Sequence, residues 1–258
     1  MDFTDQMNRT IRLEKIPERI VSLVPSITEL LAYFDMEKEV VGITKFCIKP
    51  ENWFQTKTRV GGTKNIHLEK IKALKPDLIL TNKEENTQEI IQTLENEFPT
   101  YITDINSLED AYDAIRNLSE IFGKEEYAQK LISETKKQFT AFQQSECYTQ
   151  LNGKTFLYFI WKNPDLVASK NTYIDAIFKQ LGLKNASAGE RYPEVNFSEN
   201  PDFIFLSSEP YPFQEKDIAY FQEKYPNAKI MLVDGEIFSW YGSRIQFIVP
   251  YVEEKFTF

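Results

Sequence analysis

Apolar residues along this chain fall into two alternating patterns. Compact, β-branched runs, Arg19-Ile20-Val21-Ser22-Leu23-Val24, Glu39-Val40-Val41-Gly42-Ile43-Thr44 and Leu78-Ile79-Leu80-Thr81, read as buried strands. Between them, Ile27, Leu30, Leu31 and Phe34 keep helical spacing, as do Leu68 to Leu74 and Ile90, Ile91 and Leu94. Pro25 ends the first strand, and Ser26-Ile27-Thr28-Glu29 matches a capping box, so Ser26 is expected to cap the helix with Glu29 reaching back. Asn86-Thr87-Gln88-Glu89 opens a second capped helix, and Tyr101-Ile102-Thr103 reads as a short strand. The stretch from Lys45 through Trp53 to Gly61-Gly62-Thr63-Lys64 reads as a loop.

From about Ser107 to Gln144 there is no proline, and Leu108, Ala111, Ile115, Leu118, Ile121 and Phe122, then Ala128, Leu131 and Ile132, hold helical spacing on either side of a break at Gly123. So long a helical connection inside one compact domain is unusual, and it reads as a rigid strut. The second half then repeats the first. Thr155 to Ile160 is a strand, and Asn171 to Asp175 opens a helix that ends at Leu181-Gly182-Leu183. Asn200-Pro201-Asp202-Phe203-Ile204 echoes Lys75-Pro76-Asp77-Leu78-Ile79, and Lys229-Ile230-Met231-Leu232-Val233 echoes the strand at Tyr101. Alternating strands and helices imply parallel sheets. The expectation is an α/β chain of two Rossmann-like lobes joined by one long connecting helix, with an N-terminal lobe at 1–106, the helix at 107–146 and a C-terminal lobe at 147–258.

Composition narrows the function. The chain is 42% hydrophobic and 27% charged with a formal net charge of -9, which argues against nucleic acid or an anionic membrane surface as partner. No apolar run approaches the roughly 20 residues that span a bilayer. Met1 to Gln6 is polar and acidic, without signal-peptide character. The chain is therefore expected to be periplasmic if an export signal has been trimmed, and cytoplasmic if Met1 is the native start. Cys47 and Cys147 stand in no metal-ligand spacing and read as free thiols. The single histidine, His67, reads as the solvated first turn of a helix.

In open parallel sheets, ligands bind outside the carboxyl ends of the strands. That rule selects Pro25, Ser26, Lys45, Phe46, Cys47, Gly62, Lys64 and Lys83 in the first lobe, with Trp53 beside them. In the second it selects Trp161, Lys162, Arg191, Tyr192, Tyr211, Phe213, Trp240, Tyr241 and Arg244. Aromatic surface edged by cations suits a large, flat, partly anionic ligand. The loop carrying Cys47 is expected to face the cleft, where a thiolate could meet a soft metal, a buried or half-buried thiol packed beside Phe46 being the commoner case. No G-x-G-x-x-G, G-x-S-x-G or H-E-x-x-H occurs, and neighbouring carboxylates such as Glu84-Glu85 read as solvated surface. No catalytic residue, metal ligand or cofactor is assigned.

Arg19 to Ser26 with Glu29-Leu30, Val41-Gly42-Ile43-Thr44, Leu68-Glu69-Lys70-Ile71 and Leu74-Lys75-Pro76-Asp77-Leu78-Ile79 together resemble the helical-backbone metal receptors. These are the class III substrate-binding proteins of ABC importers for vitamin B12, haem and iron–siderophore complexes. Leu206 to Phe213 and Phe238 to Arg244 look most like the cobalamin-binding branch. The resemblance implies a monomeric receptor gripping a metal chelate in a cleft between lobes, a corrinoid first and an iron–siderophore complex or haem next. It also implies docking to an ABC permease through an acidic residue on each lobe, here Glu69 and Glu194, although the second-lobe helix is shortened to Val195-Asn196-Phe197-Ser198-Glu199. The alternatives are an intracellular chelate-binding or sensing protein, or an enzyme acting on the chelate.

Overall fold

The computed structural model describes residues 1–256; positions 257 and 258, the end of the expected C-terminal lobe, lie outside the described residues. Two units emerge. The first comprises Met1–Ile105, Glu109–Ile132 and Tyr241–Arg244, and the second Asn106–Leu108, Ser133–Trp240 and Ile245–Phe258.

The first unit opens with an antiparallel hairpin of β1 (Asp2–Thr4) and β2 (Thr10–Arg12). Then come β3 (Ile20–Ser22), α1 (Pro25–Tyr33), β4 (Val40–Ile43), α2 (Glu51–Thr56), β5 (Thr58–Arg59), α3 (Leu68–Leu74), β6 (Leu78–Asn82), α4 (Gln88–Glu95) and β7 (Thr100–Thr103). Its parallel sheet runs β5-β4-β3-β6-β7. The central strands β3 and β6 are buried along their whole length, which is why they read as unbroken apolar runs. Val21, Leu23, Val60, Ile71, Ile79 and Leu94 form one core cluster of this unit.

The expected strut consists of α5 (Leu108–Phe122) and α6 (Glu125–Phe142), parted at Gly123, whose φ is +63°. After α7 (Glu146–Leu151) come β8 (Thr155–Trp161), β9 (Leu166–Ala168), α8 (Tyr173–Gln180), β10 (Lys184–Asn185), β11 (Phe203–Ser207), α9 (Glu215–Lys224) and β12 (Lys229–Val233). α10 (Gly235–Ser239), a 3-10 turn (Ser243–Phe247) and α11 (Ile248–Lys255) close the chain. The second sheet runs β10-β8-β11-β12, all parallel, with β9 antiparallel on β8. It repeats the order β4-β3-β6-β7 of the first.

The sequence echo has a physical cause. Asp77 accepts hydrogen bonds from the backbone amides of Glu18 and Arg19, 2.9 Å each, fixing the start of β3. Asp202 accepts from the amide and hydroxyl of Thr155, 2.8 Å each, at the start of β8. In both halves, a Pro-Asp pair entering one strand pins the first residues of its neighbour.

Three local expectations change. α1 begins at Pro25, one residue before the expected cap, because proline suits the first helical turn; Ser26 lies inside the helix and Glu29 does not reach back. The stretch from Lys45 to Lys64 is not a bare loop but holds α2 and β5. Val195 to Glu199 forms no helix; the chain there is irregular after an isolated bridge between Leu166 and Glu194. Among the described residues, no helix is long and apolar enough to cross a membrane.

Candidate functional site at the strand ends

The chain order reverses direction between β3 and β6 in the first unit and between β8 and β11 in the second, so the crevices suited to ligands lie at those carboxyl ends. In the first unit, the turn after β6 is shaped by Asn82, whose side-chain oxygen accepts from the amides of Glu84 and Glu85 at 2.8 and 3.1 Å. Asn86 then donates to the Thr63 carbonyl at 2.9 Å, tying this turn to the Gly61–Lys64 loop. Lys64 donates to the Glu84 carbonyl at 2.8 Å, and Lys83 pairs with Asp104 at 2.6 Å. Both lysines therefore hold the loops in shape.

A cavity of about 350 Å³ opens here, bounded by Lys45, Phe46, Gly62, Lys64, Asn65 and His67. Phe46 is half exposed, and the Lys45 ammonium sits over its ring at 5.0 Å. A Cβ on Gly62 would lie 3.1 Å from the Phe46 ring, so a larger residue would push that ring away. Lys45, Phe46, Gly62 and Lys64 thus come together as expected. His67 is the N-cap residue of α3, exposed as anticipated, but it also lines the cavity. Its only sequence signal was its position just after the glycine loop.

Of the two expectations for Cys47, the structure has the buried thiol and not one turned toward a ligand. It is fully buried, with Sγ 3.1 Å from Thr28 Oγ1 and 3.2 Å from Thr44 Oγ1. Burial pushes the thiol up from its ordinary pKa, and the two threonine hydroxyls offset part of that. Trp53 is likewise a core side chain, 2% exposed, because α2 turns it inward. Glu85 reads from the sequence as solvated surface but is half-buried, and its carboxyl is pushed up by burial with Lys64 partly opposing.

Arg244 departs most from expectation. Its guanidinium donates to both oxygens of Glu29, at 3.0 and 2.9 Å, and is largely buried. It is spent on α1 and does not present a free cation to a ligand. The same short segment seats the Tyr241 hydroxyl 3.4 Å from Thr103 Oγ1 and within reach of Ser26. Gly242, at φ +89°, brings its backbone against Leu30 and Ser26, where a Cβ would lie 3.2 and 3.3 Å away. Buried Ser26 and Leu30 thus back this segment, while Pro25, half-buried, opens α1.

In the second unit, Trp161 is 41% exposed and meets Tyr211 edge-on at 6.0 Å between ring centres. Tyr211 in turn rests on Phe213, which belongs to the core. Lys162 is tied to Asp217 at 2.6 Å and lies over the Tyr220 ring. Arg191, at φ +59°, donates to Asn106 at 3.0 Å and to the Asn171 carbonyl at 3.3 Å, with exposed Tyr192 beneath its guanidinium. Trp240 is 7% exposed, so it serves the core more than the surface. Glu69 and Glu194 both lie exposed, Glu69 in the first turn of α3 and Glu194 at the bridge to Leu166. Among the described residues no group of three or more His, Cys, Asp or Glu is placed to hold a metal ion.

A sequence model described as periplasmic binding protein matches residues 20–224. The chain is 27% identical over 192 residues to an uncharacterized ABC transporter substrate-binding lipoprotein, YvrC, of Bacillus subtilis (strain 168), covering 72% of this chain but only 60% of that protein. To the vitamin B12-binding protein of Vibrio campbellii it is 25% identical over 197 residues, 74% of this chain and 70% of that one. Among solved structures, the periplasmic vitamin B12 binding protein BtuF of Vibrio cholerae superposes with a TM-score of 0.76 at 22% identity, over 92% of this chain and 95% of its own. The siderophore binding protein BauB, bound to two acinetobactin molecules and ferric iron, superposes with a TM-score of 0.79 at 18% identity, over 100% and 98%. At these identities the solved structures speak to the fold.

Proposed function

The chain belongs to the periplasmic binding protein family, and on that premise we propose that it is the substrate-binding component of an ABC importer whose ligand is a metal chelate, a corrinoid first. The observation that carries this reading is the exposed aromatic surface at the carboxyl ends of parallel strands in each unit. Phe46 lies beside Lys45 and Lys64 in the first, and Trp161 beside Tyr211 in the second, with Tyr192 under Arg191. Flat, partly anionic molecules are held by ring faces and edge cations of this kind. The vitamin B12-binding relatives support the corrinoid choice, and the haem and siderophore binders of the same fold make those chelates the next candidates. Exposed Glu69 and Glu194 remain the proposed contacts for basic residues of a permease.

Titration of tryptophan fluorescence with cyanocobalamin, cobinamide, haemin and ferric siderophores, corrected for inner-filter absorption, tests the reading. Trp161 is the better reporter than buried Trp240. Saturable quenching by one class, weakened in both Trp161→Ala and Phe46→Ala, is expected. Quenching by none of them would reject the chelate while leaving the family assignment intact.

A further inference from the structure

Among the side-chain oxygens of the second unit that are shielded from solvent and have no hydrogen-bond partner in the protein, three lie on neighbouring segments: Asp165 Oδ1, Glu199 Oε2 and the Tyr225 hydroxyl. Asp165 is 8% exposed and Tyr225 only 2%. The other Asp165 oxygen is occupied, accepting from the Tyr220 hydroxyl at 2.8 Å, so Oδ1 alone is left over. Buried polar atoms are rarely left unsatisfied, and several together point to something that binds them.

The backbone brings these groups to one place. The Val195 amide donates to the Asp165 carbonyl at 3.0 Å, and the next residue, Leu166, bridges to Glu194. The segment carrying Glu199 therefore starts alongside the turn carrying Asp165. Phe197, between them in sequence, packs its ring on Tyr225 at 5.8 Å and on Tyr220 at 6.5 Å. After burial, the charges that act most on the Tyr225 phenol are those of Glu199 and then Asp165. Neither carboxylate has an ion-pair partner among the described residues. Lys162 pairs with Asp217 at 2.6 Å and acts on Asp165 only from farther off, across the Tyr220 ring, and Lys224 lies over the faces of the Phe197 and Tyr220 rings.

We propose that Asp165, Glu199 and Tyr225 form a site for a hard divalent cation of the calcium type, which joins the β8–β9 turn to the irregular segment after Glu194. Neither carboxylate is in ion-pair contact with a lysine or arginine, only the more distant Lys162 charge acting on Asp165, so the pair still calls for added positive charge, and an all-oxygen donor set suits a hard ion. With no sulfur or imidazole in reach, zinc and copper are disfavoured. The site stands apart from the chelate reading and does not depend on it.

Terbium luminescence sensitised by the neighbouring tyrosines, in protein freed of metal with a chelator, tests the proposal directly. The expected result is saturable emission displaced by calcium. Affinity should be weakened at least about tenfold in Asp165→Asn and in Glu199→Gln, since losing even an outer partner of a metal site costs that much. Calcium should also raise the Tm of the parent and not of either variant, with circular dichroism confirming that both fold. Absence of sensitised emission together with an unchanged Tm would overturn it, leaving the three oxygens to share a buried water. Emission equal in parent and variants, or an equal rise in Tm with sodium at matched ionic strength, would overturn it as well.

Discussion

Arg244 and Glu29 lie 215 positions apart in sequence, and their pairing decides what Arg244 can do. A guanidinium locked bidentately onto a carboxylate within a largely buried setting has little attraction left for a ligand. Removing one member leaves the other desolvated and uncompensated. Arg244→Ala should therefore cost about 3 kcal/mol in denaturant unfolding, the low end for a broken buried pair. The double variant Glu29→Gln with Arg244→Met should recover part of it. Chelate binding should be affected far less than by loss of Phe46 or Trp161; a selective loss of affinity at unchanged stability would return Arg244 to the ligand. Glu85 makes a pH-dependent case. Burial raises its carboxyl in the folded state, so the folded protein takes up that proton before the unfolded chain does. The charged form is thus a cost above the raised value, and that cost vanishes as pH falls toward the ordinary glutamate range of about 4. Glu85→Gln should raise Tm near pH 7, at about neutrality, and change it little at about pH 4. Melting curves that move equally at both would mean that shape, not charge, governs the site.

At the scale of elements, strands were legible and charges were not. Ile20–Ser22 and Leu78–Asn82 are buried on both faces, so their apolar runs had one reading. The Pro-Asp phrases revealed the duplication because the same aspartate-to-amide bond is needed at Asp77 and Asp202. The start of α1 departs by one residue from the Ser26 capping pattern because Pro25 can begin a helix as well as end a strand. α2 is six residues, under two turns, hidden in a polar stretch and below what periodicity detects. Strand order put the Lys45, Gly61–Lys64 and post-β6 loops at the carboxyl ends of the first sheet, and the structure has them there. Which lysine faces solvent and which ties down a loop depends on partners such as Asp104 and the Glu84 carbonyl, and no local pattern encodes these. Gly123 offers a direct test of an element boundary. Its left-handed φ separates α5 from α6, and a Cβ there would meet nothing closer than Ile16 at 4.0 Å. Gly123→Ala should therefore cost only the backbone penalty, roughly 1–2 kcal/mol, with unchanged helix content by circular dichroism. A near-zero cost would show that the two helices can join through that position.

For the whole molecule, each unit has a sheet and apolar cluster of its own, a pattern expected to unfold in separable steps. Calorimetry should give a measured unfolding enthalpy larger than the van't Hoff value, and Arg244→Ala should lower only the transition of the first unit. One coincident transition shifted as a whole would instead make the chain a single cooperative body. The chain passes from the second unit into the first at Tyr241 and leaves again after Arg244. Synthesis runs from the amino end, so the half of the protein made first is the half that must wait. Its α1 emerges early from the ribosome, and the Arg244 guanidinium that answers Glu29 arrives only near the end of this sequence. Folding of the first unit is thereby completed after translation of almost all of the second, and premature termination anywhere before residue 244 leaves both halves unfinished.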